Sequence, residues 1–264
     1  MPTVQGGFSP GNFQNISNPN GVNYLNEELV LVKRPDGALN YMDSEGQVIS
    51  AEDFKMADNF SEGWAAVKRQ NGKWNFINRN GKFLSISDFE NVGAFSKGLA
   101  RVQKLDKKWN LIDKNGKLVL VEDLSGIGSF TDGFARILKL DGNWNFVDEN
   151  GKIISSDDFV SVGSSSDGWA PVQRMFAGQN FINKEGKFIS EEDFPVVDSF
   201  FEGVAAVQKP NGKWNYIDKN GKFISVEDFS QVEDFANGVG KVTLDNGESY
   251  YIDKAGKRMG LANK

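Results

Sequence analysis

The sequence predicts an all-β protein built from tandem repeats of 35 residues. A Trp-Asn pair recurs at this interval, and a glycine seven residues later is present in all seven repeats, from Gly46 to Gly256. The aligned Trp position holds Leu39, Trp74, Trp109, Trp144, Gln179, Trp214 and Ser249. Short aromatic segments alternate with these glycines, which is typical of strands joined by turns.

Two turns per repeat are predicted from residues that favour tight backbone turns. In Asp113-Lys-Asn-Gly116 the aspartate can cap its own turn while the glycine adopts the left-handed conformation. Five repeats carry a second signal upstream, an Asp-Gly or Asn-Gly pair such as Asn71-Gly72, which favours a two-residue hairpin loop. Each repeat is therefore expected to contain a strand, a tight turn, a second strand, a bulged turn and a short third strand.

The end of each repeat predicts a single helical turn. Ser50 is followed three residues later by Asp53, a spacing that resembles a helix capping box. The next residue is apolar in six repeats, and we expect it to enter the core beneath that turn. These residues are Phe54, Phe89, Leu124, Phe159, Phe194 and Phe229.

Neighbouring repeats are expected to stack, because a unit of this size cannot bury its apolar surface alone. Atypical first and last repeats favour an open superhelix or solenoid, whose end repeats face water. A closed, seven-bladed propeller-like ring is the alternative, favoured by the equal repeat lengths and the count of seven. The predicted organisation is an extended N-terminal arm over residues 1–21 and a single repeat domain over residues 22–264.

The composition excludes several classes of function. The net charge is −6 and the Lys and Arg residues are spread evenly, so no nucleic-acid partner is expected. The chain has no Cys and no His, which removes thiol chemistry, His-based triads and the usual zinc ligands, and no cofactor is expected. No apolar segment is long enough to span a bilayer, and the N-terminus lacks a secretory signal pattern. We expect a soluble protein with no membrane partner, cytoplasmic or part of an assembled particle.

The strings FSEGWAAVKRQNGKWNFINRNGKF at 60–83 and FSKGLARVQKLDKKWNLIDKNGKL at 95–118 resemble the WG repeat, also called the KWG repeat, of bacterial proteins. The resemblance extends over about residues 22–258. Two features differ from the family pattern: Asn replaces the Gly after Trp, and Ser-x-x-Asp-Phe replaces a Pro-x-Tyr-Asp segment. The resemblance implies a repeat module that binds or scaffolds other molecules, and it implies no single enzymatic activity.

Asn follows the aligned Trp position in six of the seven repeats, as at Asn75 and Asn110, and Tyr250 is the exception. Asn is unfavourable in strands but readily adopts positive φ, as does the Gly of the similar family. We therefore predict a bulge or a left-handed residue at this position. The alternative is a ladder of Asn amides that bond between repeats.

The candidate binding site lies in the repeat that departs most from the pattern, at about residues 162–196. In this repeat Ser165 replaces a Phe, Pro171 enters a strand, and the hairpin tip reads RMFAG at 174–178, whereas a tip such as RQNG at 69–72 is polar. Met and Phe on an exposed tip are typical of interface anchors. The predicted partner-binding residues are Arg174, Met175, Phe176 and Gln179. The alternative is a degenerate repeat whose apolar tip folds onto its neighbour.

Three other patterns are better explained by structure than by function. The Trp column could bind sugars, but large rings usually bury most of their surface in packing. The Asp-x-Asn-Gly turns lack the set of oxygen ligands that a calcium loop needs, so no metal site is predicted. Paired acids such as Glu52-Asp53 recur along the chain, whereas a glycoside hydrolase needs one pair at one site.

The predicted function is a non-enzymatic repeat scaffold for protein–protein interaction or assembly within a larger complex, such as a virion or a secretion machine. The predicted contact elements are the N-terminal arm and the 174–177 tip. A carbohydrate-binding module that uses exposed aromatic side chains is the alternative, and a carboxylate-based hydrolase is a third candidate.

Overall fold

The computed structural model describes residues 14–15 and 29–261 and shows the predicted all-β fold, with no helix among these residues. The predicted arm, residues 1–21, lies outside the described residues except for Gln14–Asn15, which form strand β1. The chain divides into two compact units, Met1–Asp123 and Leu124–Lys264.

Each repeat contributes an antiparallel hairpin, and a shorter strand pairs with the first arm of that hairpin. The first arms are β2 (Leu29–Lys33), β5 (Trp64–Lys68), β8 (Leu99–Gln103), β11 (Phe134–Lys139), β14 (Trp169–Arg174), β17 (Val204–Gln208) and β20 (Val239–Thr243). The second arms are β3 (Leu39–Asp43), β6 (Trp74–Asn78), β9 (Trp109–Asp113), β12 (Trp144–Asp148), β15 (Gln179–Asn183), β18 (Trp214–Asp218) and β21 (Ser249–Asp253). The shorter strands are β1, β4 (Met56–Ala57), β7 (Asn91–Val92), β10 (Leu124–Ile127), β13 (Phe159–Val162), β16 (Val196–Val197) and β19 (Gln231–Val232), and β22 (Arg258–Leu261) pairs with β21.

Within each unit the strands pair with their neighbours in the order in which they follow along the chain. In the first unit the strands pair in the orders β1-β2-β3, β4-β5-β6 and β7-β8-β9. In the second unit β10 to β15 belong to one antiparallel sheet, in which Trp144 of β12 pairs with Phe159 of β13, as Trp74 pairs with Phe89 in the first unit. The orders β16-β17-β18 and β19-β20-β21-β22 complete that unit.

The 35-residue period is confirmed, since the seven hairpins within residues 29–261 begin at that interval from Leu29 to Val239. The three-stranded repeat is confirmed as well, but in six repeats the third strand is not directly after the bulged turn, where the sequence predicted it. In the first six repeats the segment after the bulged turn makes only isolated bridges, such as that of Phe83 with Ile77, whereas in the last repeat it forms strand β22. The third strand of these repeats comes later in the chain, at or just after Phe54 and its equivalents.

The bulged turn forms as predicted. Asp43 Oδ1 accepts hydrogen bonds from the N–H groups of Glu45 and Gln47 at 3.0 and 2.8 Å. Gly46 has a φ of 82°, a left-handed conformation that costs little without a Cβ. The Asp43 side chain and Gly46 together stabilise the reversal of chain direction at this turn.

The predicted two-residue hairpin loop is wrong. Lys68 pairs with Trp74, so residues 69–73 form a loop of five residues. Asn71 accepts a hydrogen bond of 2.8 Å from the N–H of Lys73, an arrangement that Asn and Asp favour in turns. The Asn-Gly pair therefore indicates the turn correctly but not its length.

The predicted helical turn is also wrong, because residues 50–54 are not helical. Ser50 Oγ accepts a hydrogen bond from the N–H of Glu52, two residues on, which closes a serine turn rather than capping a helix. The apolar residues that follow are buried as predicted, with at most 7% of their surface exposed. They are Phe54, Phe89, Leu124, Phe159, Phe194 and Phe229.

The Asn that follows the Trp position is buried and hydrogen-bonded within its own repeat, and we call this link the latch. The predicted bulge or left-handed residue is wrong, and so is the alternative ladder of amides between repeats. Asn75 and Asn110 lie in regular strand pairing and neither has positive φ. Asn75 Nδ2 donates to Ser85 O and to Asp88 Oδ1 at 2.9 Å each, and its Oδ1 accepts from the N–H of Phe76 at 2.8 Å. These partners belong to the same repeat, so the Asn ties the serine-turn loop to its own strand and forms no ladder between repeats.

This latch recurs in six repeats, where an Asn side chain donates to an Asp carboxylate at 2.8–3.0 Å. The pairs are Asn40–Asp53, Asn75–Asp88, Asn110–Asp123, Asn145–Asp158, Asn180–Asp193 and Asn215–Asp228. A cation at the start of each hairpin loop pairs with the same carboxylate, as Lys209 does with Asp228 at 2.7 Å. Burial opposes ionisation of Asp228, but the bonds from Lys209 and Asn215 outweigh it and hold its pKa below the ordinary value.

The core lies between successive repeats of each unit. In the first unit, one cluster combines Phe76 and Phe89 of one repeat with Phe95, Val102 and Ile112 of the next. All five are nearly inaccessible to solvent. Stacking of repeats is therefore what buries the apolar surface that a single repeat would expose.

A carboxylate also joins consecutive repeats within each unit. Glu62 accepts hydrogen bonds from the N–H groups of Lys97 and Gly98 at 2.6 and 2.8 Å, and Lys114 pairs with it at 2.8 Å. Corresponding bonds run from Gly168 to Asp132, from Gly203 to Asp167, and from Asn237 and Gly238 to Glu202. We call this bond the inter-repeat carboxylate contact.

Candidate functional site

The predicted binding residues lie on and beside one hairpin loop in the second unit. Strands β14 and β15 are paired from Trp169 with Asn183 to Gln173 with Gln179, so residues 174–178 form the loop. The structure therefore brings Arg174, Met175 and Phe176 together at the tip and places Gln179 at the base of the second arm.

The backbone of this loop differs from that of the other tips. Elsewhere the third loop residue is Asp or Asn, and its carboxylate or amide oxygen accepts an N–H two residues on, as Asp141 does from Asn143. The fourth residue then takes positive φ, as Gly142 does at 89°. In the divergent tip the third residue is Phe176, which itself has a φ of 57°. The turn is thus built by a phenylalanine in the left-handed region, which L residues with bulky side chains seldom occupy.

The apolar side chains of the tip face solvent. Phe176 is fully exposed at 105% of its reference area, and Met175 is 45% exposed. The alternative that the apolar tip folds onto its neighbour is therefore wrong. Ile86 and Val226 are exposed to the same degree, but each is a smaller side chain, and single exposed aliphatic residues are common on protein surfaces.

Arg174 is held in place by its own repeat. Its guanidinium pairs with Asp193 at 3.2 Å and lies 4.8 Å from the centre of the Phe188 ring. Arg69 makes the same two kinds of contact with Asp88 and Phe83 in the first unit. Arg174 therefore supports the base of the tip, as the equivalent residue does elsewhere.

Gln179 has a structural role that the sequence did not reveal. It occupies the Trp column, is partly buried, and its Oε1 accepts a hydrogen bond of 2.8 Å from the N–H of Val197. The side chain thereby joins β15 to β16 of the next repeat. Of the four predicted residues, Met175 and Phe176 are the two whose side chains are largely exposed to solvent.

The other chemical candidates are engaged in the fold. The paired acids do not form a free carboxylate pair, because Asp53 is bound by Asn40 and Arg34 while Glu52 pairs with Arg69. The Trp side chains are all partly buried. Within residues 29–261, no group of three or more Asp and Glu side chains is placed to hold a metal ion. No helix in the described part of the chain is long and apolar enough to cross a membrane.

The fold and its repeating turns define an all-β tandem-repeat protein. A family model described as the WG containing repeat matches residues 41–74, 76–109, 111–144 and 181–214. Because these segments cover just over half of the chain, the protein belongs to the WG-repeat family, as the resemblance in its sequence suggests. The divergent tip lies in the interval between the third and fourth matched segments.

Comparison with curated proteins found no match. Among solved structures, the computationally designed Ika8 protein is similar at 13% identity over 89% of this chain and 84% of its own, with a TM-score of 0.33. BamB from Moraxella catarrhalis is similar at 12% identity, 83% and 80% coverage and a TM-score of 0.32. The C-terminal WD40 domain of Sif2 is similar at 10% identity, 87% and 79% coverage and a TM-score of 0.33.

Proposed function

We propose that this chain is a non-enzymatic scaffold that binds another protein, with Met175 and Phe176 as the anchor of the contact. One observation carries the proposal: a fully exposed phenyl ring stands on left-handed backbone, at a loop position that holds Asp or Asn in the other six repeats.

This arrangement is unfavourable for the isolated chain in two ways. Left-handed backbone at a residue with a Cβ costs on the order of 1–2 kcal/mol. An exposed phenyl ring gains none of the free energy that burial would give it. Asn-Gly, as at Asn71-Gly72, would avoid both costs, so the tip is better explained by a bound partner than by the stability of the repeat.

The tip is also held in a defined position. Arg174 fixes the start of the loop through Asp193, and Gln173 Nε2 donates to Ala177 O at 2.7 Å on the other side. A loop that is already ordered loses less conformational entropy on binding. Aromatic side chains presented in this way are typical of interface anchors that fill a pocket of the partner.

The proposal includes residues 1–21 as a second contact element and a location in the cytoplasm or in an assembled particle. Its support is the sequence alone, with its Gly- and Asn-rich N-terminal segment. Within the described residues, β1 pairs with β2 through Gln14 with Lys33 and Asn15 with Val32.

The test begins with affinity purification from the native source and mass spectrometry, followed by calorimetry with the purified partner. The informative variant combines Phe176→Asn with Ala177→Gly, which installs the Asn-Gly pair of the other loops, and Met175→Ser. Loss of an anchor of about 2 kcal/mol corresponds to roughly 30-fold weaker binding.

Leu140→Ser is the matched control, because Leu140 is 55% exposed at the loop position equivalent to Met175 in the preceding repeat. It is expected to leave the dissociation constant unchanged. A tip variant that binds the partner as tightly as the wild type contradicts the proposal. A response of Trp fluorescence to glycans, with no protein partner, supports the carbohydrate-binding alternative instead.

A further inference from the structure

One phenyl ring recurs at the junction between repeats. It precedes the first arm of the hairpin and packs against the aromatic side chain in the second arm of the preceding repeat. The ring centroids are 4.8 or 4.9 Å apart in four such pairs. These pairs are Phe60 with Tyr41, Phe95 with Phe76, Phe200 with Phe181, and Phe235 with Tyr216.

Ser165 occupies this position in the divergent repeat, so Phe146 has no phenyl ring from that repeat against it. A cavity of about 240 Å³ lies there, within the second unit. It is lined by Ser129, Thr131, Phe134, Arg136, Phe146 and Ser165, among others. An engineered apolar cavity of about 150 Å³ in another protein is large enough to bind benzene.

The inner wall of this cavity is aromatic. Phe134 and Phe146 meet edge to face with their centroids 5.1 Å apart, and each is about 1% exposed. The corresponding residues of neighbouring repeats, Phe181 and Trp169, both lie against the ring of Phe200. Both residues that hold a phenyl ring in neighbouring repeats are therefore present here, and Ser165 stands at the chain position of that phenylalanine.

Two polar groups accompany these walls. Ser165 Oγ is buried and has no hydrogen-bond partner, although a buried hydroxyl is nearly always paired in a folded protein. Arg136 lines the same cavity, and its side chain is exposed to solvent. A hydroxyl and a guanidinium beside an aromatic slot are suited to a ring that carries a short carboxylate.

We propose that this cavity is a binding site for a small aromatic acid. The phenyl ring of the ligand takes the place that Phe200 and its equivalents fill in other repeats. Its carboxylate accepts hydrogen bonds from Ser165 Oγ and from the Arg136 guanidinium. This site is separate from the hairpin tip and does not depend on the proposed protein-binding function.

Phenylacetate is the probe, titrated into the full chain and followed by two-dimensional ¹H–¹⁵N NMR. A ligand of this size is expected to bind with a dissociation constant on the order of 1 mM. Intermolecular NOEs should connect its ring protons with Phe146. Ser165→Phe restores the ring of the other repeats and is expected to weaken binding at least tenfold, while Ser165→Ala keeps the cavity and retains binding.

The role of Arg136 is tested with Arg136→Gln, which is expected to weaken phenylacetate binding about tenfold and to leave the binding of neutral benzyl alcohol unchanged. Thermal melting shows whether each variant is folded. The NOEs to Phe146 keep the test decisive even if Ser165→Phe does not fold. Absence of saturable shifts, NOEs to other residues only, or unchanged binding in a folded Ser165→Phe variant overturns the proposal.

Discussion

The side chain of Asn75 donates a hydrogen bond of 2.9 Å to the carboxylate of Asp88, 13 residues further along the chain. Asn75 is completely buried. Asn71 and Arg69 donate to the same carboxylate from the hairpin loop. One Asp therefore joins a strand, a hairpin loop and a serine-turn loop, which explains why Asn is the second residue of the second arm in six of the seven repeats.

Replacement of Asn75 by Ala is expected to lower the free energy of unfolding by about 2–4 kcal/mol, because it leaves several buried polar groups without partners. Among them are the N–H of Phe76 and the carbonyl of Ser85. Urea unfolding followed by circular dichroism measures the change.

Asn71→Ala is the control, since Asn71 also donates to Asp88, at 2.8 Å, but does so at the exposed surface. It is expected to cost less than about 1 kcal/mol. If both variants lost the same free energy of unfolding, the burial of the Asn75 amide would add nothing to the stability of the protein.

Some predictions from neighbouring residues succeeded, although the loop length predicted from Asn71-Gly72 was wrong. The turn at Asp43 needed only the spacing of Asp and Gly, because all its hydrogen bonds close within four residues. The burial of Phe54 followed from its place in the repeat. Such features depend on local chemistry, which the order of residues records directly.

Predictions that depended on distant partners failed. Positive φ was a reasonable expectation for Asn75 taken alone, but its role is decided by Ser85 and Asp88, which the fold brings to it. Ser50 and Asp53 have the spacing of a helix cap, yet the carboxylate is bound by Asn40 and Arg34 and the segment forms a serine turn. The departures at Ser165 and Phe176 were visible as breaks in the repeat, whereas the cavity and the left-handed tip required the structure.

Gly221→Ala is expected to destabilise the protein much more than Gly212→Ala. Both glycines have similar positive φ, 76° and 80°, so an alanine is strained at either position. A Cβ at Gly221 would lie 2.4 Å from the carbonyl oxygen of Ile189 in the preceding repeat, whereas nothing lies within 4 Å at Gly212. We expect a loss of about 1 kcal/mol for Gly212→Ala and about 3 kcal/mol or more for Gly221→Ala, measured by urea unfolding. Similar losses would show that the repeats separate readily at this contact.

Acid is expected to weaken the latch. Burial opposes ionisation of Asp88, but the bonds from Asn71, Asn75 and Arg69 outweigh it, so its pKa lies below the ordinary value. A carboxyl whose pKa is lower in the folded state stabilises the protein above the unfolded value of about 3.9. That contribution is lost as the pH falls through the lower, folded value.

Carboxyl ¹³C NMR titration of Asp88 should give a midpoint below 3.9, and Asp88→Asn should lose stability at pH 7 but show a shallower decline in acid. A midpoint at or above the ordinary value contradicts this assignment.

The inter-repeat carboxylate contact at Glu62 is expected to hold two repeats of the first unit together. The bonds from Lys114, Gly98 and Lys97 lower the pKa of Glu62, so the carboxylate is ionised at neutral pH. Gln at this position has one acceptor oxygen, and its NH₂ group would face the second backbone N–H.

Glu62→Gln should therefore speed amide hydrogen exchange at Lys97 and Gly98 and lower the urea midpoint by less than Asn75→Ala does. Glu45→Gln, at an exposed turn position, is the control and should change neither quantity. Unchanged exchange at Gly98 in Glu62→Gln would mean that apolar stacking alone keeps the repeats together.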